Sequence, residues 1–437
     1  MKGSKKLSSR EIAINAIIKI QKGMHIQHAL DLALQNVQKK QDKALITELV
    51  YGYFRLRERL YFILKSRIRG QFKKLPKKFV LCMCLGVYEI LYLDGIPDYA
   101  SVNFYVEYIK KRISRGLTSL ANGVLRTICR NKDEFISREF YIKNTRSMEE
   151  FYSIYYSLPL FLVKILISQY GDKNAEIFLK KSVCKPFIGI RINKRNKSSK
   201  EIINLLNKNN HIKQKINNRL YALEDSHEID IEYFEKQGII SRKSFESQKI
   251  LIDLHFNNWN IPIWDMCAGF GGKTTFLLEE DKLPIWASDI DINRLLGLKK
   301  ELFRLKLNDI PIFVSDCTKV SPLKKNPSTI LIDSPCSGLG VICRRPDLKL
   351  RIDDIFLKNI MKLQKKLLNL AIKIVPKYGR IVYITCTWNR DENEAQMQRL
   401  MQDNKGVKIE IEKEVKIDFT SDLREFFYGV TLVKNSL

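Results

Sequence analysis

Apolar residues recur every three or four positions through residues 1–135, in REIAINAIIKIQ, IQHALDLALQ, KALITELVYGYFRLRERLYFILKSRI and KKFVLCMCLGVYEILYL. That is the period of helices with one buried face. Pro97 opens a further helix and SLANGVLRTICRN closes the series, so this segment is predicted to be all helix. Residues 136–250 are mixed. SLPLFLVKILISQYG has a helical pattern, FIGIRIN reads as a strand, and SSKEIINLLNKNN reads as a helix opened by a serine cap. From residue 251 short apolar runs alternate with helical stretches. This rhythm predicts an α/β domain with a mainly parallel sheet covered on both faces. In its helix KNIMKLQKKLLNLAIKIV, Leu363, Leu367, Leu370 and Ile374 share one face. The expected division is therefore 1–135, 136–250 and 251–437.

Five strands of the last segment end in Asp265, Asp289, Asp316, Asp333 and Cys386. In open α/β sheets the ligand crevice lies outside the carboxyl ends of the strands. After the first of these strands comes CAGFGGKTT, residues Cys267, Ala268, Gly269, Phe270, Gly271, Gly272 and Lys273 onward. Its glycines let a ligand approach the backbone closely at a helix start. A triphosphate-binding P-loop would need glycine at Cys267, and the dinucleotide pattern would need glycine at Thr274. A different nucleoside cofactor fits better. S-adenosylmethionine has a ribose for Asp289 and an ammonium group for a second carboxylate.

Charge adds a partner. Lys and Arg total 76 against 48 Asp and Glu in 437 residues, a net charge of +28. Such an excess favours a polyanion, because cationic side chains release counterions from phosphates. Arg55, Arg57, Arg59, Arg67, Lys110, Lys111, Arg112 and Arg115 decorate the front helices, as phosphate contacts or as solvated faces. No apolar run is long enough to span a membrane, and the basic start lacks the apolar core of a secretory signal. Nine cysteines without framework spacing point to free thiols in a reducing cytoplasm. Cys82 and Cys84 read as core residues, and no metal site is expected.

DSPCSGLG, from Asp333 to Gly340, puts an acid, a proline and the thiol of Cys336 together, with Cys386 at a neighbouring strand end. Methyl transfer to nitrogen or oxygen needs no cysteine. Carbon 5 of a pyrimidine does, because it is not nucleophilic until a thiolate adds at carbon 6. An acid near ring N3 stabilises the adduct. A second thiol can assist elimination afterwards, and on chemistry alone either cysteine could be the one that attacks.

DMCAGFGGKTT, DSPCSGLGVICRRPDLK and YITCTWNRDENE together resemble the NOL1/NOP2/Sun family of RNA cytosine-5 methyltransferases, and most of all its bacterial branch acting on small-subunit ribosomal RNA. ELVYGYFRLRERL, LGVYEILYLDGIPDYASVN and ANGVLR are similar to the NusB-like RNA-binding domain of that branch, so the resemblance covers nearly the whole chain. It implies an all-α NusB-like domain and a small mixed connecting domain ahead of an α/β Rossmann-like methyltransferase domain. It implies Cys386 as nucleophile, Cys336 in product release and Asp333 on the base and cofactor. The loop 267–273, Asp289 and Asp316 would bind S-adenosylmethionine. Arg191, Arg344, Arg345 and Lys349 are the candidate RNA contacts, and the partner would be 16S ribosomal RNA, met by a cytoplasmic monomer. Another ribosomal or transfer RNA cytosine is the alternative substrate, and a non-catalytic RNA-binding protein the alternative class. Several features depart from the family pattern, among them ISRKSFESQ before residue 250, which lacks the usual Gln-Asp. Gly269-Phe270 replaces Ala-Pro, Cys343 replaces an arginine, and Arg345 replaces a histidine. Asp391-Glu392-Asn393-Glu394 reads as a helix start.

Overall fold

The computed structural model describes residues 7–68, 70, 72–225, 229–319 and 321–435. The first six residues, to which the basic start belongs, lie outside this set. The chain divides into two units. One holds residues 1–183 with Arg345–Arg351, and the other holds Cys184–Arg344 with Ile352–Leu437. The expected middle segment, 136–250, is thus shared between them.

The first unit is helical: α1 (Ser9–Gln21), α2 (Ile26–Leu34), α3 (Lys40–Arg67), α4 (Lys77–Tyr92), α5 (Asp98–Arg112), α6 (Thr118–Arg130), α7 (Lys132–Ile136), α8 (Arg138–Lys143), α9 (Met148–Tyr155) and α10 (Leu160–Ser182). Helix α1 begins with a reciprocal capping box between Ser8 and Glu11. A buried carboxylate, Glu89 of α4, ties three helices together. It accepts two bonds from Arg10 Nε, at 2.9 and 3.0 Å, and one each from the hydroxyls of Ser101 and Tyr105, both at 2.6 Å. Cys82 and Cys84 pack inside α4, and burial pushes the Cys82 thiol up to about 12. Arg55 and Arg59 are not solvated decorations. Both are buried, and Arg59 lies over the Tyr155 ring at 4.0 Å while its Nε donates to Tyr155 O at 2.7 Å. Among the described residues no single helix is long and apolar enough to cross a membrane. Only the pair α9–α10, bent by 117°, passes that test jointly on length and composition.

The second unit holds two sheets. A four-stranded antiparallel sheet has the order β2 (Ile212–Ile216), β3 (Leu220–Leu223), β1 (Ile188–Ile192), β4 (Ile240–Arg242). It packs with α11 (Ser199–Lys208), α12 (Ile231–Lys236) and α13 (Phe245–Asp253). The strand in FIGIRIN and the helix after it stand where expected, although Ser198 makes no side-chain cap bond. Strands β2 to β4 have no counterpart in the sequence reading.

The larger sheet is built from β5 (Ile263–Asp265), α14 (Gly272–Glu279), β6 (Ile285–Asp289), α15 (Ile292–Leu305), β7 (Ile312–Val314), β8 (Thr329–Asp333), α16 (Asp354–Ile374), β9 (Arg380–Thr385), α17 (Glu394–Asp403), β10 (Ile409–Ile417) and β11 (Phe427–Lys434). Its order is β10-β11-β9-β8-β5-β6-β7, parallel except at β11 and β10. Alternate residues serve opposite faces, as strand geometry requires. Ile263, Leu331, Val382 and Ile384 join a core with α13, α14 and α15. Trp264, Ile330, Ile332, Ile381 and Tyr383 join the core under α16 and α17. This is why the strands read as continuous apolar runs.

Arg191 of β1 docks the smaller sheet onto α14. Its guanidinium donates to Gln248 Oε1 at 2.6 Å, Gly272 O at 3.0 Å, Thr275 Oγ1 at 2.8 Å and Glu279 Oε1 at 2.9 Å. With 0% exposure it has no face to offer RNA, and that expectation is corrected. Removing one member of a buried ion pair leaves the other charge desolvated. Arg191→Met is therefore expected to lower stability by about 3 kcal/mol, read as a urea midpoint shift. Arg191→Met with Glu279→Leu should recover most of it; equal losses in the two variants would contradict this account.

Candidate active site

The strand order reverses between β5 and β8, and the loop after β5 opens at that switch point. Gly269 and Gly271 have left-handed backbones, φ 55° and 77°, which only glycine takes readily. A Cβ on Gly271 would stand 2.1 Å from Leu298 Cδ1, whereas nothing lies within 4 Å of one on Gly269 or Gly272. The loop thus closes on α15 at one point and leaves open space at the others. Asp289 at the end of β6 holds it in place, accepting from Gly269 N and Asp291 N, both at 2.9 Å. Ala268 N donates to Ser288 O at 2.9 Å. Phe270 is 61% exposed, and its ring lies against Gly297, where a Cβ would come within 2.5 Å of it. Burial pushes the Cys267 thiol well above its usual value.

Lys273, the first side chain of α14 after Gly272, is buried and reaches Asp333 Oδ2 at 2.6 Å. Asp333 remains 40% exposed, so one face of this pair is open to a ligand. Asp316 stands beyond β7. The Thr318 hydroxyl and backbone N–H, then Lys319, hold its carboxyl down at about 2. Asp265 is fully buried beneath the loop, where the Thr274 hydroxyl donates to Oδ2 at 2.6 Å. Burial pushes its carboxyl up to about 7, against the bond from Thr274.

The two thiols meet. Strands β8 and β9 pair in parallel with Asp333 opposite Ile384. Beyond them Ser334 N donates to Ile384 O at 2.8 Å, and Gly340 N to Cys386 O at 2.9 Å. The turn between brings Cys336 Sγ to 3.3 Å from Cys386 Sγ, and Cys386 N to 3.4 Å from Cys336 Sγ. Both are free cysteines. The neighbouring Cys386 thiol, and then burial, push the Cys336 thiol well above its usual value, so it keeps its proton.

Glu392 was missed as a site residue. The helix begins only at Glu394, and the Glu392 carboxylate turns inward, fully buried. It accepts from Ser337 N at 2.8 Å, Ser337 Oγ at 2.5 Å, Gln364 Nε2 at 3.0 Å and Thr387 Oγ1 at 3.2 Å. Its acidic neighbours in sequence masked it, since such a stretch ordinarily faces solvent.

The remaining RNA candidates scatter. Arg344 is held by Glu425 Oε1, 2.6 Å from Nε, and by Phe187 O at 3.1 Å. Arg345 and Lys349 belong to the helical unit. There Arg345 Nη2 lies 2.9 Å from His25 Nδ1, and Lys349 Nζ donates to Arg55 O at 2.9 Å. Burial pushes the Lys349 ammonium down to about 7. Cys343 is buried, with its thiol 3.5 Å from Arg424 O, in core packing where the resembled family has a cation. Among the described residues no group of three His, Cys, Asp or Glu side chains could hold a metal ion.

A mostly parallel seven-stranded sheet with a glycine loop and acids at its strand ends defines a Rossmann-like methyltransferase domain. Residues 250–426 match the family described as 16S rRNA methyltransferase RsmB/F, and residues 7–130 match the NusB family. The C-terminal domain is thus similar to RsmB/F methyltransferases, and the helical domain in front of it to NusB proteins. A relative in Synechocystis, "Probable ribosomal RNA small subunit methyltransferase B", is 29% identical over 92% of this chain and 91% of its own length. A Bacillus subtilis protein of the same description is 27% identical over 94% and 92%. Among solved structures, that of PH0851 superposes with a TM-score of 0.75 at 20% identity, over 98% of this chain and 99% of its own. NSun6 from Pyrococcus horikoshii gives 0.53 at 20% identity, over 63% and 98%. Both show the fold.

The raised Asp265 carboxyl has a sign. Its protonated form suits the folded state, so its stabilising contribution is complete below about pH 4 and is lost as pH rises through about 7. Asp265→Asn removes this titration. The stability of the native protein relative to that variant should fall between these limits, at most by about 1.4 kcal/mol per pH unit. Urea unfolding at intervals from pH 4.5 to 8 reads it, and a pH-independent difference would refute it.

Proposed function

We propose that this protein is an S-adenosylmethionine-dependent methyltransferase acting on carbon 5 of a cytosine in small-subunit ribosomal RNA, through a covalent adduct on Cys386. The observation that carries the reading is the pair of thiols 3.3 Å apart, at the strand end beside the Lys273–Asp333 pair. Nitrogen or oxygen methylation has no use for two such thiols. The names of the relatives favour small-subunit ribosomal RNA over transfer RNA.

The residues present fit the cofactor. The loop 267–273 leaves open space at Gly269 and Gly272, with Asp289 anchored beside it and Asp316 at the next strand end. When bound, S-adenosylmethionine supplies an electrophilic methyl group. Everything else is the work of this chain's residues. The Cys386 thiolate adds to carbon 6 of the ring and its electron pair shifts toward carbon 5, which becomes nucleophilic. Ring N3 takes a proton from solvent as the adduct forms, and the Asp333 carboxylate, exposed on one face and fixed by Lys273 on the other, accepts a hydrogen bond from that N3–H. Once carbon 5 carries the methyl group, solvent water takes the carbon-5 proton, the C–H electron pair re-forms the 5,6 double bond, and the carbon–sulfur bond breaks to return Cys386 as a thiolate. Cys336, kept protonated beside Cys386, supplies hydrogen bonding to the departing thiolate. The target base must stand outside a helix to reach this crevice, and the net charge of +28 suits a phosphate-rich partner.

Incubation with labelled S-adenosylmethionine and unmodified small-subunit RNA should yield labelled 5-methylcytidine, and transfer RNA in parallel should yield little. Label absent from cytidine would refute the reading. Cys386→Ala should abolish both product and covalent complex. Cys336→Ala should accumulate a denaturation-resistant protein–RNA adduct; exchanged phenotypes would reverse the two roles.

A further inference from the structure

Ser337 follows Cys336 directly, and Thr387 follows Cys386 directly. Both residues bond to the same side chain, Glu392. Its Oε2 takes Ser337 N at 2.8 Å and Gln364 Nε2 at 3.0 Å, while its Oε1 takes the hydroxyls of Ser337 and Thr387. Those hydroxyls also lie 2.9 Å from each other. Gln364 of α16 donates in turn to Pro335 O at 3.0 Å, and Gln396 Nε2 to Gln364 Oε1 at 3.0 Å. Asn393, the next residue, holds Thr387 O through Nδ2 at 2.9 Å.

The backbone ties between the two strand ends bracket the Cys336 turn at Ser334 and Gly340 but do not grip it in the middle. Two side chains do so: Gln364 holds Pro335 O, and Glu392 holds Ser337 through its N–H and its hydroxyl. A buried carboxylate with these donors needs a strong reason to be there, since an apolar residue would carry no desolvation cost. Burial raises its carboxyl above the usual range.

We propose that Glu392 is the positioning residue that sets the separation of the two thiols, by binding the residue that follows each cysteine and so holding Cys336 against Cys386 for the release step. The inference rests on the covalent reading of those cysteines. Glu392 does not touch the substrate; it acts through Cys336.

Glutamine in its place can keep the network. Its carbonyl oxygen accepts from Ser337 N and Gln364, and its amide donates to the two hydroxyl oxygens. Alanine cannot. The test follows wild type, Cys336→Ala, Glu392→Ala and Glu392→Gln with labelled S-adenosylmethionine and unmodified small-subunit RNA. It reads 5-methylcytidine, denaturation-resistant adduct, and S-adenosylmethionine affinity by calorimetry. Glu392→Ala should accumulate adduct as Cys336→Ala does, with turnover down about 10- to 100-fold, the scale of an ångström-level misplacement, and cofactor affinity unchanged. Glu392→Gln should release product nearly as wild type does. If Glu392→Ala fails to fold, Ser337→Ala takes its place, and a shift toward adduct of about 3-fold, as one lost hydrogen bond produces, is expected. Product and adduct lost together in either variant, or partition as in wild type, would overturn the proposal. Absence of adduct in Cys336→Ala would instead bring down the covalent reading, and this proposal with it.

Discussion

The register of β8 against β9 is the constraint on which the site depends. With Asp333 opposite Ile384, the chain leaves both strands at the same level, and the next residues of each must share one small space. A one-residue slip would turn Ile381 and Tyr383 from one core to the other and carry Cys386 away from Cys336. The register is therefore specified by core packing on both faces of the sheet. The chemistry inherits its geometry from that packing.

Around this constraint the second unit builds inward support for each reactive group. Arg191 reaches from the smaller sheet to Gly272 O and to the far end of α14, so the helix that begins at the glycine loop is clamped from beneath. Lys273, one residue on, can then meet Asp333 across the switch point. Glu392 does the corresponding work for the thiols. At Arg191 and Glu392 the buried ionisable group is matched by several bonds, which is the condition under which its burial is tolerated. The helical unit repeats the device at Glu89.

Much of this was legible in the sequence because strand ends and loop glycines are local signals. Asp265, Asp289, Asp316, Asp333 and Cys386 stand at or just beyond the ends of five parallel strands, as the apolar runs before them indicated. The approach of Cys336 to Cys386 was implied by neighbouring strands, but its distance was not. Arg191 was misread because a cation in a basic region resembles a phosphate ligand. Its burial depends on Glu279 and Gln248, 88 and 57 residues away. Glu392 was hidden for the same reason, its partners Ser337 and Gln364 lying 55 and 28 residues off. Strands β2 to β4 escaped notice because antiparallel pairing in IKQKI and LYAL leaves only short, weak patterns. Periodicity reports which face is apolar, not which polar group finds a partner across the fold.

The proposed attack by the Cys386 sulfur leaves a mark that an arrested adduct reveals. RNA carrying 5-fluorocytosine cannot lose a proton from carbon 5 after methyl transfer, so the covalent complex persists. Digestion of that complex and mass spectrometry of the nucleotide-bearing peptide identify the attached residue. The nucleotide is expected on Cys386, in the peptide IVYITCTWNR. A nucleotide on Cys336, or a complex with no cysteine modified, would contradict it.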